Sequence, residues 1–157
     1  MRLLTHRSVF QVAIALLLLW CNCLRAEAPR VPSLKLELES KSFREARGVL
    51  RIAFFSSLDQ MKAQRPAAHK NIVVNKSAAT MSVSMDHPGE GFYVVAVYHD
   101  LNENDELDLG LFGMPSEPYG FSNNARAVIG LPSFEAAAIS LESAESGAQP
   151  TYYIRLH

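Results

Sequence analysis

Leu34, Leu36 and Leu38 alternate with Lys35, Glu37 and Glu39, and this period of two restricts the fold more than any other feature of the chain. A segment that shows one apolar and one polar face is a half-buried strand, and it needs a second layer to cover the apolar side. The pattern recurs. Gly48 opens Val49–Phe55 with Leu50, Ile52 and Phe54 on one face, and Thr80–Asp86 sets Met81, Val83 and Met85 against serines. Phe92–His99 is apolar on both faces and reads as the central strand, entered from the turn His87–Gly91, where Pro88 fixes φ and the glycines allow it to be positive. Asn71–Asn75, Phe134–Leu141 and Tyr152–Leu156 are further strand candidates, although Glu135–Ala138 also has helix-forming composition. Ser56 or Ser57 caps a short helix through Met61, which Pro66 ends. There is no sustained helical period, no βαβ rhythm and no internal repeat. The expected fold is all-β, an antiparallel β-sandwich with one long ordered loop.

The first residues read as a leader outside the fold. Arg2 and Arg7 precede an apolar run from Val9 to Trp20, and small residues follow at Ala26 and Ala28. The run is shorter than the ~20 residues of a membrane helix. The expected layout is a signal peptide over 1–26, a linker over 27–33 and a β-sandwich domain over 34–157. Cleavage falls after Cys23 or Ala26, with an uncleaved anchor as the alternative, so the membrane is a partner only through the leader. Both cysteines, Cys21 and Cys23, sit in this segment, each preceded by a residue unsuited to lipidation. The domain beyond them has none, so disulfide, thiol and zinc-thiolate chemistry are excluded there. A secreted or periplasmic location follows.

Roughly 130 residues remain, enough for one core. Of the 15 Lys and Arg, Arg2, Arg7 and Arg25 precede Ala26, while all 16 acids follow it, so the domain is mildly acidic. No basic run interleaves with aromatics, which argues against a nucleic-acid partner.

After His99, oxygen-bearing side chains occupy every second position: Asp100, Asn102, Asn104, Glu106 and Asp108. A calcium ion takes about six to eight oxygens, and the positions match the first ligands of a helix-loop-helix calcium loop. Asp105 replaces the glycine of such a loop and Leu111 its final Glu, so a further ligand would come from Glu117 or a backbone carbonyl. The competing reading is a solvated turn whose Asp and Asn side chains cap their own backbone. Beyond it, Leu111, Phe112, Met114, Tyr119 and Phe121 read as anchors that dock the loop on the sandwich, with Phe112 and Phe121 in the core. Ser122, Asn123, Asn124 and Arg126 form a polar cluster. Tyr119, Phe121, Asn123, Asn124 and Arg126 are candidate ligand-binding residues, and satisfying loop backbone is the alternative role for the polar ones.

No catalytic constellation emerges. His99 and Asp100 are neighbours on a strand and point to opposite faces. His69 and His87 are isolated, and Ser122 lies in GFSNN rather than in a nucleophile elbow.

The run YVVAVYHDLNENDELDLGLFGMPSEPYGFSNNAR, followed by LPSFEAAAISL, closely resembles the bacterial family known as domain of unknown function 2141. Members carry a GxYAVAVxHDxNxNxxLD core, then FGxPxEGYGFSNNA, then PxFxxAxFxL. This chain departs from them at Glu103, Asp105 and Pro118, where many members have glycine. The resemblance implies a small exported bacterial protein of no established activity, and it carries over no catalytic residue. The expectation is therefore a non-catalytic sandwich of immunoglobulin- or prealbumin-like type with a calcium-stabilised loop and a protein or saccharide partner. The alternative is a small-ligand domain for carbohydrate or peptide, and a hydrolase comes after that.

Overall fold

A computed structural model describes residues 32–127, 130–142 and 149–157. The segment expected to be a signal peptide, 1–26, with Cys21 and Cys23, and most of the expected linker over 27–33 lie outside the described residues. The elements in chain order are β1 (Ser33–Glu39), a 3-10 turn (Ser42–Glu45), β2 (Val49–Phe55), α1 (Leu58–Lys62), β3 (Ala68–Val73), β4 (Thr80–Asp86) and β5 (Gly91–Asp100). After a long connection come β6 (Tyr119–Phe121), α2 (Phe134–Ala137), β7 (Ile139–Leu141) and β8 (Thr151–Arg155). The described residues are mainly β, in two sheets.

One sheet has the order β4-β1-β8 and the other β3-β2-β5-β6, with β7 on β5 as well. All pairs are antiparallel except β1 with β8, which is parallel and departs from the uniformly antiparallel expectation. The alternating leucines of β1 and Val83 and Met85 of β4 share a core with Leu50, Ile52 and Phe54 of β2 and Val95 and Val97 of β5. The outer face of β5 is also covered. Val94 packs with Phe55, Met61 of α1, Phe121 of β6 and Ala137 of α2, which explains why Phe92–His99 is apolar on both sides.

The two sheets also meet along their edges. His157 N–H donates to the Tyr119 carbonyl at 3.0 Å, and Tyr119 N–H donates back to His157 at 3.3 Å, so the chain beyond β8 continues the ladder onto β6. Gly120 permits this approach, since a Cβ there would stand 2.5 Å from the Arg155 carbonyl. On the opposite edge, Lys70 Nζ of β3 donates to the Ser84 carbonyl of β4 at 2.9 Å.

Several boundaries differ from the sequence expectation for local reasons. The Asn71–Asn75 strand pairs earlier, over Ala68–Val73, because its register is set by Val49–Phe54 of β2. Ser57 is the helix cap, its side chain accepting from Gln60 N–H. The segment Phe134–Leu141 divides: Ser133 caps one turn of helix through Ala137, and Ile139–Leu141 then turns onto β5.

Candidate functional site: the pinned loop and its apolar tip

The register of β2 on β5 decides which way the end of β5 faces. Leu50 lies opposite His99 and Val49 opposite Asp100, so His99 points into the shared core while Asp100 points to the outer face, as strand alternation requires. His99 is fully buried against the ring of Phe43. Its Nε2 lies 2.8 Å from the Arg47 carbonyl and its Nδ1 2.7 Å from Ser42 Oγ. A carbonyl only accepts, so Nε2 carries the proton and Nδ1 accepts from Ser42. Ser42 Oγ lies 2.8 Å from Ser40 Oγ, completing a buried relay of three side chains.

Asp100 is also fully buried, and Arg51 meets it. Arg51 Nε and Nη2 donate to Asp100 Oδ2 at 3.0 and 2.8 Å, and Arg51 Nη2 also pairs with Asp105. Asp100 then organises the loop. Its Oδ1 accepts from Asn104 N–H at 3.1 Å and its Oδ2 from Asp105 N–H at 3.0 Å. Burial pushes the Asp100 carboxyl up, but the Arg51 hydrogen bond and the N–H groups of Asp105, Asn104 and Glu103 outweigh it and hold the group below its ordinary value. Glu117, buried where the chain returns, spans the loop base: Oε1 accepts from Leu101 N–H at 2.7 Å and Oε2 from Asp108 N–H at 3.2 Å. Tyr98 closes the side, its hydroxyl donating to the Asp105 carbonyl at 3.0 Å.

Of the five proposed ion ligands, three converge. Asn102 and Asn104 each turn an amide nitrogen to Asp108, at 2.7 and 2.9 Å. Their oxygens accept from backbone, Asn102 Oδ1 from Asn104 N–H and Asn104 Oδ1 from Glu106 N–H. Rotating both amides would direct their oxygens toward the Asp108 carboxylate. Asp100, by contrast, is committed to Arg51 and to backbone, and Glu106 enters the network through its backbone N–H. Glu117 serves backbone rather than the apex. Among the described residues, no three carboxylate, imidazole or thiol groups form a ready-made metal cluster. As placed, Asn102, Asn104 and Asp108 form a hydrogen-bonded turn, and only with both amides rotated would the three side chains offer oxygens to one cation.

Above this base the chain makes a narrow hairpin. Ser116 N–H donates to the Asp108 carbonyl at 2.8 Å, Leu109 bridges Pro115, and Gly110 N–H donates to the Met114 carbonyl at 2.7 Å. This corrects the docked-anchor expectation. Phe112 is 99% exposed, Leu111 84%, Met114 65% and Leu109 63%, so none of them reaches the core. The cause is the tight closure at Gly110–Met114, which makes the segment fold on itself. Phe112 stands at its apex with φ +64°, a left-handed conformation that costs a non-glycine residue roughly 1 kcal/mol. Phe121 is buried as expected, and Tyr119 is half-buried with its ring edge-on to Phe121.

The polar cluster serves backbone. Ser122 Oγ accepts from Val95 N–H at 2.9 Å and donates to the Ala137 carbonyl at 2.5 Å, bridging the interval on β5 between its partners β6 and β7. Asn123 Nδ2 donates to the Ala138 carbonyl at 2.9 Å, and Asn124 Oδ1 accepts from Arg155 N–H at 2.8 Å. Arg126 is exposed beside them.

Arg51, Ser42 and the structural use of Glu117 escaped the sequence reading. Arg51 left one trace, a lone cation in the apolar run Val49–Phe55.

No curated protein and no solved structure matches this chain. Residues 39–149, which take in β2 to β7 and the whole loop, match the family described as uncharacterized protein conserved in bacteria (DUF2141), and the chain belongs to that family.

Proposed function

We propose that this protein is an exported, non-catalytic module, a β-sandwich of immunoglobulin- or prealbumin-like type, that engages a protein partner through the apolar hairpin tip. The observation that carries the reading is the exposure of Leu109, Leu111, Phe112 and Met114 on a turn braced by Asp100, Arg51 and Glu117. Contiguous exposed apolar side chains mark interaction surfaces, and large anchors filling a partner's pocket dominate binding energy. A convex tip fits a concave partner. The exposed acids at its base, Glu103, Asp105 and Glu106, favour a pocket rimmed by Lys and Arg and disfavour an anionic lipid surface. The sandwich reading is supported by the core that both sheets share. The non-catalytic reading is supported by the enclosure of the Ser42–His99 pair, whose imidazole is fully buried.

Calcium is the ion proposed for Asn102, Asn104 and Asp108. Bound there, it would supply positive charge between the Asp108 carboxylate and the exposed acids and so stiffen the base of the tip. The affinity expected of such extracellular-type sites is weak, about 0.1–1 mM.

The test places a photo-crosslinking amino acid at position 112 in the full chain, expressed in its native cell, with position 44 as an exposed control. A discrete protein adduct at 112, absent at 44, is the expected result. Lipid adducts alone, or no adduct, would overturn the reading. Fractionation of the same cells checks export, since recovery in the cytoplasm with Met1 retained would exclude it.

A further inference from the structure

A second surface lies away from the tip, where β8 meets β1 and the end of β6. It is an open groove of about 660 Å3, and Arg126, Arg155, His157, Glu39, Tyr153 and Asn124 supply its chemistry. A smaller recess of about 110 Å3 adjoins it and shares Asn124, Arg126, Arg155 and His157, with Tyr119 on its far wall.

Two guanidinium groups and an imidazole meet here on a mildly acidic domain. Arg155 pairs with Glu39, both of its contacts at 3.0 Å, yet the two side chains are more than half exposed, so water already competes for the pair. Arg126 makes no ion pair among the described residues. Partial burial first, and then the guanidinium groups of Arg126 and Arg155, push the His157 imidazole below its ordinary value, with Glu39 opposing them.

The site is also held in shape before any ligand arrives. Asn124 sits at φ +51° and is clasped to β8 by Arg155 N–H, so the segment that leads to Arg126 is fixed against the strand bearing Arg155 and Tyr153. Beside the arginines, the Tyr153 ring is 69% exposed. Farther along, Glu37 joins Glu39 as a second carboxylate in the lining.

We infer that this groove binds a carboxylate-bearing saccharide, with Arg126 and Arg155 on the carboxylate and Tyr153 under the sugar ring. The guanidinium fork suits a planar carboxylate. Glu39, Asn124 and Thr80 offer acceptors and donors to hydroxyl groups, which a uronic acid carries next to its charge. A uronate presents one charge per ring to Glu37 and Glu39, whereas a doubly charged phosphate would meet them with both charges on one small group and be repelled more strongly. The site is independent of the apolar tip and of calcium.

The test is a nuclear magnetic resonance titration of the protein as purified from its native cell with trigalacturonate, with maltotriose and inorganic phosphate as separate arms. Trigalacturonate should shift the amides of Arg126, Tyr153, Arg155 and His157 and saturate in the millimolar range. Arg126→Met and Tyr153→Ala, both at exposed positions, should each weaken it by tenfold or more, while Phe112→Ser leaves it unchanged. Maltotriose should shift nothing. The inference is overturned by absent shifts, by equal response to maltotriose, or by phosphate binding as tightly through the same residues.

Discussion

Replacing Asp100 by Asn tests the brace beneath the tip. The wild-type carboxylate is fully buried and accepts four hydrogen bonds, from Arg51 Nε and Nη2 and from the N–H groups of Asn104 and Asp105. An amide has one acceptor oxygen, so its NH2 must face either the guanidinium or a backbone N–H. Arg51 would also lose its buried counter-charge. Breaking a fully buried ion pair costs about 3–5 kcal/mol, and because the Arg51 side chain keeps 16% exposure the lower end, about 3 kcal/mol, is expected. For a domain of this size that is roughly 10 °C in melting temperature.

Urea unfolding followed by far-ultraviolet circular dichroism measures the loss, with the m-value unchanged if the native fold persists. Arg51→Met should cost as much, since it leaves the carboxylate buried and unpaired. The double variant should cost well under the sum of the two, by at least about 1 kcal/mol, because both changes remove one interaction. The pH dependence carries the sign. The folded carboxyl lies below its unfolded value, so its contribution is complete above about pH 4–5 and is lost as pH falls through the folded value. The gap between wild type and Asp100→Asn should therefore be flat from neutral pH to about 5 and close below 4. Single variants that each shift stability by less than about 0.5 kcal/mol, or a strictly additive double variant, would refute the brace.

Phe112→Gly should raise stability by up to about 1 kcal/mol in the same urea titration by relieving a left-handed phenylalanine. Phe121→Ala should cost about 3 kcal/mol or more in the same urea titration, and equal effects at 112 and 121 would contradict the exposed tip. Gly48→Ala should lose at least about 1 kcal/mol, because φ is +80° and the new Cβ would stand 2.5 Å from the Asp100 carbonyl. Calcium at about a hundred times its dissociation constant should add about 2.7 kcal/mol to stability, and magnesium much less. Asp108→Asn should erase that difference, and identical melting curves in calcium and in chelator would exclude the ion.

The sequence by itself determined β1, β2, β4 and β5 and the apolar face that β1 and β2 bury. Leu34, Leu36 and Leu38, like Leu50, Ile52 and Phe54, point inward because alternation is a local property of extended backbone. The same locality made the Ser57 cap legible and placed His99 and Asp100 on opposite faces. The spacing from Asn102 to Asp108 suits a calcium loop and a turn that caps its own backbone alike, and local pattern does not choose between them. Tertiary structure alone decided how these pieces meet. The parallel pairing of β1 with β8 joins segments from opposite ends of the chain, and no local pattern encodes it. Arg51 reaches Asp100 only because β2 is registered on β5 with Val49 opposite Asp100, a relation between distant residues. Leu111, Phe112 and Met114 have the composition of core anchors, and composition records how well a side chain packs, not whether anything lies within its reach. The hydrogen bond from Gly110 to the Met114 carbonyl turns the chain back on itself within five residues, and that closure leaves the three side chains with no sheet to cover them.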